Sequence, residues 1–159
     1  MKDLTSSVYT FEKLIRGNYL YVDKTEYIWK LVRPASGIYF MSRPRRFGKS
    51  LTVSTLKAVF QGRKDLFKGL AIYDKEYDWK EYPVIHLDMA NCDARTPLAL
   101  RKYLARVLTE SASSHRVSAD IHEDELAASF ESLVRAVAKD SPVVILVDEY
   151  DKPILNALG

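Results

Sequence analysis

The sequence predicts an α/β fold in which a parallel sheet lies between layers of helices. Three observations predict it. Short apolar runs alternate with stretches whose apolar residues recur at helical spacing. One run, Ile38-Tyr39-Phe40-Met41, leads through a polar turn into Gly48-Lys49-Ser50 at the start of a helical stretch. Another, Val143-Val144-Ile145-Leu146-Val147, ends in Asp148-Glu149. Continuous apolar runs of this kind belong to strands covered on both faces, as the strands of parallel sheets are.

The elements follow in order. Phe11, Leu14 and Ile15 have helical spacing, and Gly17-Asn18 ends that turn. Tyr19 to Val22 reads as a short extended piece. Asp23-Lys24-Thr25 then caps a helix with Tyr27, Ile28, Leu31 and Val32 on its inner face, which Pro34 to Gly37 stops. The run at 38–41 is expected to be a buried strand. The next helix carries Val53, Leu56, Val59 and Phe60 on one face and ends near Gln61-Gly62. Leu66, Phe67, Leu70, Ile72, Trp79 and Tyr82 read as anchors pinning a long connection to the core. Pro83 to Asp88 is a second strand. Its terminal Asp88 is either a site residue or the start of a turn. Thr96-Pro97 opens a helix with a hydroxyl cap and proline in the first turn. Leu100, Tyr103, Leu104, Val107 and Leu108 form its core stripe. A polar loop is expected from Ser111 to Asp120. Leu126, Phe130, Leu133, Val134 and Val137 form another stripe, which Asp140-Ser141-Pro142 breaks before the strand at 143–147.

Two of these junctions carry chemistry. Gly48 lets a backbone approach a phosphate with no side chain in the way. The first amides of the following helix have no intrahelical acceptor and can point at phosphate oxygens. Lys49 reaches the β- and γ-phosphates as a point charge, and the Ser50 hydroxyl ligates Mg²⁺. The expected nucleotide-binding set is Arg43, Pro44, Arg45, Arg46, Phe47, Gly48, Lys49, Ser50 and Leu51. At the other junction, Asp148 would hold Mg²⁺ through water and Glu149 would orient the attacking water, the arrangement of a Walker B strand. The expected catalytic residues are therefore Lys49 and Glu149, and the metal ligands Ser50 and Asp148. Both motifs occur in the order a P-loop nucleoside triphosphatase needs, about 100 residues apart. Tyr21 and Asp23 lie just upstream of the P-loop strand and read either as adenine-side contacts or as core residue and helix cap.

Composition sets bounds. The 159 residues are 47% hydrophobic and 28% charged, which suits a globular domain with a core of its own. The net charge of +3 permits an anionic ligand but does not single out nucleic acid. Cys92 is the only cysteine, so a disulfide framework and a cysteine-based metal site are excluded. His86, His115 and His122 lack a zinc spacing. The longest apolar run is too short to span a bilayer, and the N-terminal residues show no signal-peptide core. A reducing, cytoplasmic setting is expected.

Three segments carry a resemblance. Tyr21-Val22-Asp23-Lys24-Thr25, then Ser42-Arg43-Pro44-Arg45-Arg46-Phe47-Gly48-Lys49-Ser50, then Val147-Asp148-Glu149-Tyr150-Asp151-Lys152-Pro153-Ile154 resemble the signatures of the AAA-ATPase-like family. The general P-loop pattern has glycine where this chain has Arg43, and arginine is usual there in that family. The resemblance implies an ATP-binding P-loop domain using Mg²⁺, with Lys49, Ser50, Asp148 and Glu149 in the roles above. It also implies a partner: such domains are often followed by a PD-(D/E)XK nuclease-like domain, of which no motif occurs here. The expected fold is a P-loop three-layer sandwich with an N-terminal extension at 1–36 and an ATPase core at 37–159. The expected function is Mg²⁺-dependent ATP hydrolysis coupled to a partner domain or protein. The alternatives are a module that holds nucleotide without turnover and one that binds nucleic acid through Arg43, Arg45 and Arg46. The core is also expected to be truncated, because no apolar strand follows Glu149; weak turnover alone, or association into a homo-oligomer, would result.

Overall fold

In the computed structural model, residues 2–5, 7–34, 36–42, 44, 47–139 and 141–158 are described. The chain packs as two compact units, residues 1–81 and 82–159.

The first unit is helical. It contains α1 (Phe11–Arg16), α2 (Thr25–Val32) and α3 (Lys49–Phe60), followed by two 3₁₀ turns, Lys64–Phe67 and Ala71–Asp74. Its core gathers Phe11, Ile28, Val59, Phe67 and Ile72. Phe11 and Phe67 stack at 4.6 Å between ring centroids. Burying an apolar side chain of this size contributes about 1.5–3 kcal/mol, so these few residues dominate the unit. Leu66, Phe67 and Ile72 are buried, as anchors of the long connection should be. On α2, Ile28 and Val32 turn inward. Tyr27 does not: it is 66% exposed, with the Lys30 ammonium 5.4 Å from its ring centroid. One residue is about 100° of helix, so Tyr27 sits a full step outside the stripe that Ile28 and Val32 define.

The run at 38–41, expected to be a buried strand, forms no strand. Ile38 is 102% exposed and Phe40 74%. The reason is what surrounds it. Among the described residues of this unit the only β-type pairings are the isolated bridges Asp3–Tyr19 and Gln61–Glu81. Among the described residues of this unit no neighbouring strand stands ready to pair with the run.

The second unit is α/β. Strands β1 (Val84–Asp88) and β2 (Val144–Asp148) pair in parallel, in register from Val84 opposite Val144 to Asp88 opposite Asp148. Parallel neighbours need a long crossover. Here it consists of α4 (Pro97–Ser114) and α5 (Leu126–Val137). The Thr96 hydroxyl accepts the Ala99 amide at 3.2 Å, the cap that its sequence predicts. α4 continues past the expected loop start at 111, because Ser111 and Ala112 are buried against the core and the Ser114 hydroxyl donates to the Ser111 carbonyl at 2.8 Å. Ile85, Leu108, Ala112 and Leu133 form the core between β1 and these helices. Ile145 and Val147, the register partners of Ile85 and Leu87, are exposed. The short helix expected from Ile154, Leu155 and Leu158 is α6 (Lys152–Leu158), tied down by the Asn156 amide donating to the Cys92 carbonyl at 2.6 Å. The chain is thus mixed α/β with a small parallel sheet of two strands. No helix among the described residues is long and apolar enough to cross a membrane.

Candidate functional site

The phosphate-loop junction is built by one backbone conformation. Gly48 has φ 76°, in the left-handed region that glycine enters without a Cβ penalty, and it immediately precedes α3. Its carbonyl accepts both the Thr52 amide and the Thr52 hydroxyl at 2.9 Å, which fixes the first turn. Gly48 itself has no side chain with which to cap the helix. A Cβ placed on Gly48 would meet nothing within 4 Å among the described residues. The amides of Lys49, Ser50 and Leu51 are therefore in the position of orphan donors, and the helix dipole adds positive potential there. Those features fit a phosphate group. Lys49, Ser50 and Leu51 are half-buried, and Phe47 is exposed. The Phe47 amide donates to the Pro44 carbonyl at 3.4 Å, a turn leading into the loop. Arg43, Arg45 and Arg46 lie outside the described residues.

Tyr21 and Asp23 are engaged within their own unit. The two Asp23 oxygens divide the work. Oδ1 accepts the Thr25 amide at 2.8 Å and the Thr25 hydroxyl at 2.7 Å, and Oδ2 accepts the Ala71 amide at 2.7 Å. Burial works to raise this carboxyl, but the bonds from Thr25 and Ala71 favour the charged form and hold it below the ordinary aspartate range. The Thr25 hydroxyl, fully buried, in turn accepts the Ile72 amide at 3.0 Å. Asp23 thereby caps α2 and ties the second 3₁₀ turn to it. Tyr21 packs edge-on against Phe11 at 5.2 Å. Burial pushes its phenol up, with Thr55 opposing as a hydrogen-bond partner. Thr25 is the residue that sequence reasoning passed over. As a helix-start threonine it reads as an exposed cap, whereas its hydroxyl is an interior junction.

The acidic junction sits at the carboxyl ends of the two paired strands. Asp148 is 7% exposed and its Oδ1 accepts the Glu149 amide at 3.0 Å. The Met89 amide donates to the Asp148 carbonyl at 3.0 Å, extending the ladder to this point. Glu149 has φ 53°, a left-handed conformation unusual for a glutamate, and its carbonyl accepts the Lys152 amide at 3.0 Å. Beside Asp148 in the register lies Asp88, whose Oδ1 accepts the Ala90 amide at 2.8 Å, the turn role. The Tyr103 hydroxyl donates to the Asp88 carbonyl at 2.9 Å. Asp151 Oδ1 is buried with no hydrogen-bond partner among the described residues. Among those residues no three His, Cys, Asp or Glu side chains are grouped so as to hold a metal by themselves. A strand-end carboxylate such as that of Asp148 is the kind of oxygen donor of which Mg²⁺ takes one or two. Lys49 and Ser50 belong to the first unit, Asp148 and Glu149 to the second.

The chain is similar to the uncharacterized protein in the vnfD 5′ region of Azotobacter chroococcum mcd 1, with 38% identity over 161 residues. That match covers 99% of this chain and 30% of the relative, so the chain spans under a third of the relative's length. No solved structure matches it. The family model described as "Predicted AAA-ATPase" matches residues 6–159. With the glycine-led helix start and the strand-end carboxylates both inside the matched region, the chain belongs to the AAA-ATPase-like family.

Proposed function

We propose that the chain is an ATP-binding P-loop module that hydrolyses ATP with Mg²⁺ and passes the resulting change to a partner domain or protein. The observation that carries this reading is the left-handed Gly48 at the start of α3, followed at once by Lys49 and Ser50. The family's description supports the nucleotide as ATP. In this reading the amides of Lys49, Ser50 and Leu51 bind the β-phosphate, and the Lys49 ammonium reaches the γ-phosphate. Arg43, Pro44, Arg45, Arg46 and Phe47 complete the loop around the phosphates. The Ser50 hydroxyl and, through water, Asp148 would hold Mg²⁺, which would neutralise charge on the phosphate oxygens. Glu149 accepts a proton from the attacking water as it adds in line to the γ-phosphorus and ADP leaves. The partner would be a further domain, such as a nuclease-like one, or a second copy, and the setting cytoplasmic.

The test is calorimetric titration with ATP, with and without Mg²⁺, on the wild type and on Lys49→Ala, with turnover followed by phosphate release. ATP binding that Lys49→Ala abolishes is expected. Equal affinity in the two proteins would overturn the reading. Turnover should fall on the order of 10²-fold or more in Glu149→Gln, whose amide fills the same space but cannot take the proton. Binding without turnover in the wild type, even with partners added, would leave the nucleotide as a structural or regulatory ligand.

A further inference from the structure

The first turn of α3 is held from behind by two hydroxyls. Ser54 Oγ donates to the Leu51 carbonyl at 2.9 Å, and Thr55 Oγ1 donates to the same carbonyl at 2.7 Å. Serine and threonine often bond back along a helix in this way; Thr109 does so on α4, to the Ala105 carbonyl at 2.9 Å, at an exposed position. What differs at Ser54 and Thr55 is where they are anchored. Ser54 Oγ also accepts the Phe11 amide at 3.0 Å, a bond spanning 43 residues that hangs the turn on the start of α1. Thr55 is 1% exposed, and Tyr21 lies against it. Phe11 and Tyr21 are themselves locked by ring contact with each other and with the core. A chain of contacts thus runs from the rigid interior of residues 1–81 to the carbonyl of Leu51. The peptide that holds this carbonyl also holds the Thr52 amide, which donates to the Gly48 carbonyl at 2.9 Å and so ties the carbonyl of Leu51 to the helix start.

We propose that Ser54 and Thr55 are positioning residues for the phosphate loop: they fix the Leu51–Thr52 peptide, whose N–H holds the Gly48 carbonyl, and so set where the amides of the first turn of α3 converge. The inference rests on the phosphate-binding reading above. Two features of hydrogen bonding give it physical content. Misdirecting a preorganised donor by a fraction of an ångström weakens a charge-assisted bond steeply. A site holds its geometry only when the side chains behind it are themselves locked. It also assigns the Tyr21-to-Thr25 segment a role behind the loop rather than at the base, since Asp23 and Thr25 are already bonded to each other and to residues 71 and 72.

The experiment compares ATP, GTP and inorganic tripolyphosphate, each with Mg²⁺, as ligands in calorimetric titration of the whole chain. Thr55→Val keeps the shape and loses the donor; Ser54→Ala loses the tether to Phe11. Each should weaken all three ligands to the same extent, by about five- to tenfold, and Thr55→Ser should restore affinity. Ile28→Val, a core change in the same unit, controls for stability and should lower the unfolding temperature without moving any affinity. Thr55→Val that folds, with wild-type affinity for tripolyphosphate, would overturn the inference alone. So would a loss confined to the base-bearing ligands, which would return this segment to the base side. No binding of any ligand by the wild type would overturn the phosphate-loop reading and this inference with it.

Discussion

Replacing Glu149 by glycine should make the protein more stable and less active. Glu149 adopts φ 53°, and the left-handed region costs an L-residue with a Cβ roughly 1–2 kcal/mol. Its backbone bonds survive the substitution, because they join the Glu149 amide to Asp148 and the Glu149 carbonyl to Lys152. Glycine removes the Cβ strain and adds unfolded-state freedom that offsets roughly 0.5–1 kcal/mol of the gain. The comparison that isolates strain is Glu149→Ala, which keeps the Cβ and loses the carboxylate. Glycine should exceed alanine by about 0.5–1 kcal/mol, equivalent to roughly 1–4 °C in Tm for a chain of this length. Urea midpoints at constant m-value, with Tm as a second measure, read the difference. On the role proposed above for Glu149 as the base, turnover should be lost in Glu149→Gly, Glu149→Ala and Glu149→Gln alike. A glycine variant no more stable than the alanine variant would refute the claim that backbone strain is stored at this residue.

Three further outcomes are expected. Asp23 is held below its ordinary range in the folded state, so the stability it contributes is present above the unfolded value of about 3.9 and is lost as pH falls through the lower folded value. Wild type should therefore exceed Asp23→Asn in Tm at pH 7, and the gap should close in acid. Thr96→Ala should cost about 1 kcal/mol in urea unfolding through loss of the α4 cap, with Thr96→Ser recovering most of it. Ser129, 1% exposed, accepts the His122 amide at 2.8 Å and donates to the His122 carbonyl at 3.1 Å, so Ser129→Ala should cost roughly 1–3 kcal/mol by leaving the His122 amide without its acceptor, while the carbonyl keeps the Glu125 amide at 3.2 Å.

Where a local pattern decides the outcome, the sequence is legible. α4 begins where Thr96-Pro97 says it should, and the α5 stripe packs on the core as its spacing predicts, whereas on α3 Val53 and Val59 are buried together with Thr55 and Ala58, and Leu56 and Phe60 are half-buried. The boundary missed at 111 has a reason: serines read as loop, yet here they bond back to carbonyls and a buried alanine carries the turn inward. The run at 38–41 shows a different limit. Apolar content says that a segment wants burial, but a strand also needs an edge to pair with, and edges are supplied from elsewhere in the chain. Asp23 is the same problem at one residue. Its helix cap is local and readable, whereas its bond to Ala71 spans 48 residues and no pattern around Asp23 announces it.

Glu149 separates residue type from backbone state. A strand ending in Asp-Glu signals two carboxylates, and the sequence places them at the strand end, where β2 does terminate in Asp148. A positive φ is signalled by glycine or asparagine, and position 149 has neither. If the position served only the turn into α6, glycine would fill it at lower cost in the folded state, as it does at Gly48 before α3. A glutamate in a conformation that disfavours it is consistent with the role proposed for its side chain at the end of β2. The stability and turnover of Glu149→Gly bear on that argument jointly: a gain in the first with a loss in the second is the signature of strain retained for chemistry, and a gain in the first with turnover unchanged would remove Glu149 from the mechanism.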